Sequence, residues 1–162
     1  FIIEKAEKES ELIRNARAIN KSMPKFVINQ VKKLTNRNSK IAILGLAYKG
    51  NIDDIRESPA LEIIEHLKNE GFSLGIFDPH VSQEQVLYHL STFEEAIKNA
   101  ECILILTDHN EFKHLDEDLV VRLMKKPIVL DTKNCVKLDS ANIEYFNFGN
   151  LGSIESKKIY ST

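Results

Sequence analysis

The residues best suited to chemistry are concentrated in the short segment 45–58. Lys49 and Arg56 bring positive charge, and Asp53 and Asp54 lie between them. Lysine and arginine suit a bound anion, because both donate charge-assisted hydrogen bonds to phosphate or carboxylate oxygens. The alternative is a solvated turn whose acidic and basic side chains pair with one another. The pattern of residues alone leaves both interpretations open.

The elements that flank this segment would place it where α/β proteins bind ligands. Residues 41–44 form an apolar run typical of a buried strand, and Gly45 ends it. Ser58 is a good N-cap and Pro59 suits the first position of a helix, so a helix should begin here. A strand, a charged loop and a helix N-terminus in that order predict an anion site at the carboxyl edge of an open sheet.

Polar residues follow the other predicted strands as well, at the same expected edge. They are Asp78, Thr107, Asp108, His109, Asp131, Lys133 and Asn134. Such a collection from separate loops is what a nucleotide site would need. The pattern favours an ordinary polar role for His109 over a general base. For Asp131 it leaves open a ribose ligand or a cap for the next turn.

Several standard motifs are missing. The first loop contains neither a GxGxxG fingerprint nor a P-loop, because Lys49 precedes Gly50 and no serine or threonine follows. Cys102 and Cys135 form no CxxC pair, which favours buried, reduced thiols in a cytoplasmic protein. The spacing of His109 and His114 predicts no metal site.

Alternating apolar runs and helical patterns predict an α/β fold. We expect a Rossmann-like, mostly parallel sheet of about five strands with helices on both faces, preceded by a long connecting helix. The predicted domains are residues 1–36 and residues 37–162. The expected strands are 40–45, 73–77, 102–107, 127–131 and 143–148, and the expected helices are 59–70, 82–88 and 93–99. Residues 111–124 should hold one or two short helices, and 149–162 should be loop.

The first predicted element is a helix over residues 4–35, with apolar residues at three- and four-residue steps. Pro24 lies inside this pattern, so a kink or a break is expected near residues 22–24. The apolar stripe would be buried against a missing domain of the same polypeptide, against a second copy of the chain, or against its own domain.

Composition narrows the class of protein. The chain has 162 residues, 43% of them hydrophobic and 28% charged, with a net charge of −2. This balance does not favour nucleic acid or an anionic membrane as a partner. No apolar run reaches the ~18 residues of a membrane span, and no signal peptide is recognisable. The chain begins at Phe1 without an initiator methionine, which predicts a piece of a longer protein.

Five stretches carry a family resemblance that covers nearly the whole chain. GLAYKGNIDDIRESPAL at 45–61 resembles the signature that begins the C-terminal domain of the UDP-glucose/GDP-mannose dehydrogenase family, most like its UDP-N-acetylmannosamine branch. The resemblance continues through FDPHV at 77–81, ILILTDHNEF at 103–112 and VLDTKN at 129–134. Residues 11–28 resemble the central connecting helix of that family.

The resemblance implies a function for the full-length protein. It would be an NAD-dependent enzyme that oxidises the C6 hydroxyl of a UDP-hexose, UDP-N-acetylmannosamine by preference, to the uronate for polysaccharide biosynthesis. This part would bind the UDP-sugar, an N-terminal domain of the same polypeptide would bind NAD, and the helix at 4–35 would form a homodimer. The catalytic cysteine motif of the family is missing, so the fragment alone should be inactive.

The resemblance also implies roles for four residues. Tyr48 and Lys49 would contact the nucleotide-sugar, and Arg56 would reach the NAD pyrophosphate. Lys158 is the nearest counterpart of a substrate-binding arginine, although lysine cannot reproduce a bidentate contact. No catalytic or metal-binding residue is expected. The competing hypotheses are a non-catalytic nucleotide-binding or scaffold dimer domain, and a self-sufficient NAD-binding domain, against which the missing GxGxxG counts.

Overall fold

Five strands form a single, fully parallel sheet. The computed structural model describes residues 7–154, with side chains from residue 11 onward except that of residue 12. The elements are α1 (Glu7–Leu34), β1 (Lys40–Leu44), α2 (Pro59–Asn69), β2 (Ser73–Phe77), α3 (Phe93–Ile97), β3 (Cys102–Ile105), α4 (Glu117–Leu123), β4 (Ile128–Asp131) and β5 (Glu144–Asn147). The predicted α/β fold class and strand number are therefore confirmed.

The order of the strands locates the ligand-binding edge. The spatial order of the strands is β2-β1-β3-β4-β5. β2 therefore lies on one side of β1, and β3, β4 and β5 follow one another on the other side. This is a doubly wound order whose switch point lies between β1 and β3. The loops that follow these two strands are consequently the expected walls of a crevice.

Helices cover both faces of the sheet, as predicted. On one face, residues of α1 and α2 such as Val31 and Ile64 pack with Ile41 and Leu104. On the other face, residues of α3 and α4 such as Ile97 and Val120 pack with Ile103. The near-continuous apolar sequence of β1, β3 and β4 follows from this two-sided burial.

Helix α1 is continuous through Pro24, so the break that was one of two expectations near residues 22–24 does not occur. Its second half packs on its own domain through Val27, Ile28 and Val31, which are almost fully buried. Its first half is different, since every side chain from residue 14 to residue 22 is exposed. The division into domains at residue 36 remains a proposal, because the end of α1 shares a core with the sheet.

Two segments differ from the sequence-based expectation. The predicted helix at 82–88 is only a 3-10 turn, Gln83–Gln85, because the Gln83 side chain accepts from the amide of Leu90 and donates to the carbonyl of Tyr88, which folds the following residues into a loop. In the predicted loop 149–162, residues 152–154 form a helical turn. Residues 155–162 lie outside the part of the chain that the structure describes.

Within residues 7–154, no helix has the length and apolar character that crossing a bilayer requires.

Candidate functional site

The loop after β1 presents Tyr48 and Lys49 at the carboxyl edge of the sheet. Gly45 begins it with a left-handed φ of 94°, and a Cβ there would lie 2.5 Å from that of Thr107, so only glycine fits between β1 and the end of β3. The Tyr48 amide donates to the Asp54 carbonyl at 2.8 Å, which closes the loop on itself. Tyr48 is 53% exposed, an unusual position for a large aromatic side chain unless it meets a ligand or a partner.

A cavity of about 280 Å³, which we call the edge cavity, lies beside Tyr48. It is walled by α1, by the loop after β1, by the beginning of α2 and by the ends of β3 and β4. Its lining includes Pro24, Val27, Tyr48, Pro59, Lys133 and Phe148. An apolar cavity with a few polar groups, at the switch point of a doubly wound sheet, is the standard position for a small ligand.

The positive end of a helix and two lysines make this region favourable to anions. Ser58 caps α2, and its side chain accepts from the amide of Ala60 at the wall of the edge cavity. Lys133 lines both the edge cavity and a neighbouring cavity of about 440 Å³. Within residues 7–154, the ammonium groups of Lys49 and Lys133 have no hydrogen-bonding or ion-pair partner. Both are therefore available to a bound anion.

Arg56 is placed differently from Tyr48. Its side chain is 86% exposed, and its guanidinium forms a bidentate pair with Asp54, at 2.9 Å from Nε to Oδ1 and 2.7 Å from Nη2 to Oδ2. The hydrogen bond from Arg56 lowers the pKa of the Asp54 carboxyl to about 2. The pair lines a separate cavity of about 470 Å³. This pairing is the one that the solvated-turn interpretation expected, and Nη1 of Arg56 takes no part in it.

A buried carboxylate joins the loops that follow β1 and β2. Asp78 Oδ2 accepts from the amides of Leu46 at 2.6 Å and Ala47 at 3.2 Å, and Oδ1 accepts from His80 at 2.8 Å and Val81 at 3.0 Å. Burial raises the pKa of Asp78, but hydrogen bonds from His109 and these amides outweigh it and bring the pKa to about 2. Asp78 is thus ionised in the folded protein.

His109 completes this network and has no exposed surface. Its Nε2 lies 3.0 Å from Oδ2 of Asp78, and its Nδ1 accepts from the Asn51 amide at 2.9 Å. Both ring nitrogens are therefore engaged, which agrees with the ordinary polar role favoured by the sequence. His80, His109 and Glu111 are close enough together to suggest a metal site, yet His109 has no lone pair left for an ion.

Asp131 caps a turn, one of the two roles that the sequence left open. Its carboxylate accepts from the amides of Lys133, Cys135 and Val136 and from the hydroxyl of Tyr145. All four donors are internal, so a ribose would have to displace one of them.

Neither cysteine has the character of a nucleophile. Burial, with smaller contributions from nearby carboxylates, raises the pKa of Cys135 to about 11. Burial raises the pKa of Cys102 to about 12. Both thiols are free of disulfides and are protonated at neutral pH.

The structure brings together only some of the residues singled out from the sequence. Tyr48 and Lys133 line the edge cavity, Lys49 adjoins Tyr48, and Arg56 lies on a different cavity. Lys158 lies outside the described residues, so its predicted role remains a prediction. The wall formed by α1 and Phe148 was not predicted from the sequence, because contact between α1 and the edge of the sheet leaves no local signal.

The fold is a doubly wound α/β domain with a cavity at its switch point, which is where such domains bind small ligands. Residues 42–138 match the UDP binding domain of the UDP-glucose/GDP-mannose dehydrogenase family, and the chain belongs to that family. The resemblance noted from the motifs is thereby confirmed.

Three relatives describe the similarity in more detail. The UDP-N-acetyl-D-mannosamine dehydrogenase of Methanocaldococcus jannaschii is 39% identical over an alignment of 156 residues that covers 94% of this chain and 36% of the relative. The UDP-glucose 6-dehydrogenase of Rickettsia bellii is 31% identical over 90% of this chain and 36% of its own length. The solved UDP-N-acetyl-mannosamine dehydrogenase of Staphylococcus aureus has a TM-score of 0.81 and 39% identity, covering 95% of this chain and 37% of that one. The chain thus spans a little over a third of these relatives.

Proposed function

We propose that this chain is the nucleotide-sugar-binding part of an NAD-dependent UDP-sugar 6-dehydrogenase. The observation that carries the proposal is the match of residues 42–138 to a UDP binding domain, in a structure whose edge cavity is lined by Tyr48 and the unpaired Lys133. The names of the relatives favour UDP-N-acetylmannosamine as the sugar nucleotide of the whole enzyme. Free thiols agree with the expected cytoplasmic setting.

Each side chain at the site has a role in this proposal. Tyr48 and Phe148 offer flat apolar surface for the uracil base, and Lys49 and Lys133 neutralise the diphosphate. The edge cavity and its neighbour share Lys133 and Phe148, which gives a nucleotide two adjoining compartments. Lys158 would add a further contact to the substrate.

The remainder of the reaction belongs to other parts of the whole protein. NAD would supply hydride-accepting chemistry and would be bound by an N-terminal domain, with Arg56 turning its free Nη1 toward the pyrophosphate. The protonated Cys102 and Cys135 do not supply a nucleophile, so we expect the 162-residue chain alone to leave a UDP-sugar unoxidised. The exposed Ile19 and Phe26 of α1 support the proposed homodimer.

Calorimetric titration of the chain with UDP, UDP-N-acetylmannosamine and NAD in parallel tests the proposal. Saturable binding of UDP and the UDP-sugar, with little response to NAD, is the expected result. Binding of NAD without UDP would overturn it in favour of a self-sufficient NAD domain. If a folded sample binds none of the three ligands, the result would support a scaffold domain whose site forms only in the whole enzyme.

A further inference from the structure

The loop that carries Tyr48 and Lys49 is attached to the protein on both sides of these residues. Before them, the amides of Leu46 and Ala47 donate to Oδ2 of Asp78. After them, the amide of Asn51 donates to Nδ1 of His109 at 2.9 Å. Asp78 and His109 are themselves hydrogen-bonded, so one buried pair holds both ends of the loop.

The hydrogen bond from Asn51 determines the tautomer of His109. A backbone amide can only donate, so Nδ1 must be the unprotonated, accepting nitrogen. The single proton of the neutral ring is then on Nε2, where it is donated to Oδ2 of Asp78 at 3.0 Å. The ionised Asp78 therefore selects the one tautomer that can hold Asn51.

We propose that His109 is a positioning residue for the loop that carries Tyr48 and Lys49. As the Nε2–H tautomer it accepts a hydrogen bond from the Asn51 amide, and this bond sets the positions of Tyr48 and Lys49 for nucleotide binding. This inference rests on the function proposed above. Asn51 is also held through its side chain, which accepts from the Asn110 amide at 2.9 Å, so the loop follows the end of β3 closely.

A catalytic or metal-binding role is excluded by the same geometry. The His109 ring has no exposed surface, and both of its nitrogens face internal partners, so it reaches neither a substrate nor an ion. The ring is further fixed by His80, at 4.7 Å between centroids, and by Phe112, at 5.3 Å. His109 therefore fixes the position of the loop after β1 relative to the end of β3.

Two substitutions test the roles of the two ring nitrogens of His109 one at a time. In His109→Asn, the side-chain oxygen stands near the place of Nδ1 and can still accept from Asn51. In His109→Gln, the amide group stands near the place of Nε2 and can still donate to Asp78, but the acceptor for Asn51 is lost. Both remove the ring and its packing, so each serves as the control for the other.

The readouts are UDP affinity and hydrogen exchange at the Asn51 amide in the 162-residue chain. His109→Gln should weaken UDP binding about tenfold and speed Asn51 exchange by a similar factor, which is the size of one lost hydrogen bond. His109→Asn should stay within about threefold of the wild-type chain in both. Equal losses in the two variants, or unchanged exchange in His109→Gln, would overturn the positioning role.

Two further results keep the inference separate from the proposed function. If the wild-type chain does not bind UDP, the proposed function of the isolated chain fails, while Asn51 exchange still decides whether His109 holds the loop. If neither variant folds, nitrogen NMR of the wild-type chain decides instead. A proton on Nε2 of His109 is the expected result, and a proton on Nδ1 would overturn the inference.

Discussion

Gly50 and Asp108 lie in direct contact across the crevice between β1 and β3. The Gly50 amide donates to Oδ1 of Asp108 at 3.1 Å, and a Cβ on Gly50 would overlap the carbonyl oxygen of Asp108. The contact holds the loop after β1 against the loop that follows β3.

Gly50→Ala should therefore destabilise the protein. The added methyl group meets backbone, which cannot rotate away, so we expect a loss of about 2 kcal/mol in the free energy of unfolding. Urea denaturation followed by circular dichroism measures it. Gly152→Ala is the matched control, because nothing lies within 4 Å of a Cβ there, and it should change stability by less than about 0.5 kcal/mol. Equal effects of the two changes would contradict the close approach at Gly50.

Asp78→Asn should be among the most damaging single substitutions. One of the two carboxylate oxygens becomes an NH₂ group that faces N–H donors, so buried amides lose their acceptor. We expect a cost of about 3 kcal/mol in urea denaturation. Asp54→Asn removes a carboxylate of the same size from an exposed pair with Arg56, and should cost far less.

Asp78 should also control stability in acid. Its folded-state pKa of about 2 lies below the ordinary value of 3.8, so the folded state binds the proton less readily than the unfolded chain. The stabilisation is complete above pH 4 or so, and is lost as the pH falls through about 2. The wild-type chain should lose about 2 kcal/mol over this range that Asp78→Asn does not lose. Parallel slopes for the two proteins would show that Asp78 is not the group responsible.

Lys49 and Lys133 should contribute to nucleotide affinity through charge. Replacing either by alanine removes a charge-assisted contact to the diphosphate, and we expect UDP to bind about tenfold more weakly by calorimetry. Lys98→Ala is the matched control, because this exposed lysine follows α3 and precedes β3, at the opposite edge of the sheet. A loss of affinity in Lys98→Ala as large as in the other two would indicate only general attraction of the anion.

The two cysteines should resist alkylation in the folded protein. With a pKa of about 11 for Cys135 and about 12 for Cys102, few thiolates exist at neutral pH, and the thiolate is the reactive form. Iodoacetamide at mildly alkaline pH should leave the native mass unchanged over minutes and should modify both residues in urea. Rapid labelling of Cys135 in the native protein would contradict the raised pKa.

The strands were predictable because their signal is local. The apolar runs of β1, β3 and β4 are each bounded by glycine, proline or charged residues, and the structure places them within two residues of the expected ends. The helix start at Ser58 was equally clear, since an N-cap and a proline in the first turn are adjacent in the sequence.

The candidate site was predictable only in outline. Polar residues were expected at the carboxyl edge, but the pairing of Asp78 with His109 joins positions 31 residues apart, and no spacing rule reports it. A kink or a break was expected near Pro24, whereas α1 is continuous there and Pro24 is buried. Tertiary packing decided both outcomes.

Helix α1 changes character beside the edge cavity. Its 28 residues span about 42 Å. Val27, Ile28 and Val31 are buried in the core, whereas every side chain from residue 14 to residue 22 is exposed. Asn20 belongs to this exposed segment and also lines the edge cavity. A second molecule that covered the exposed segment would therefore contact the rim of the candidate site.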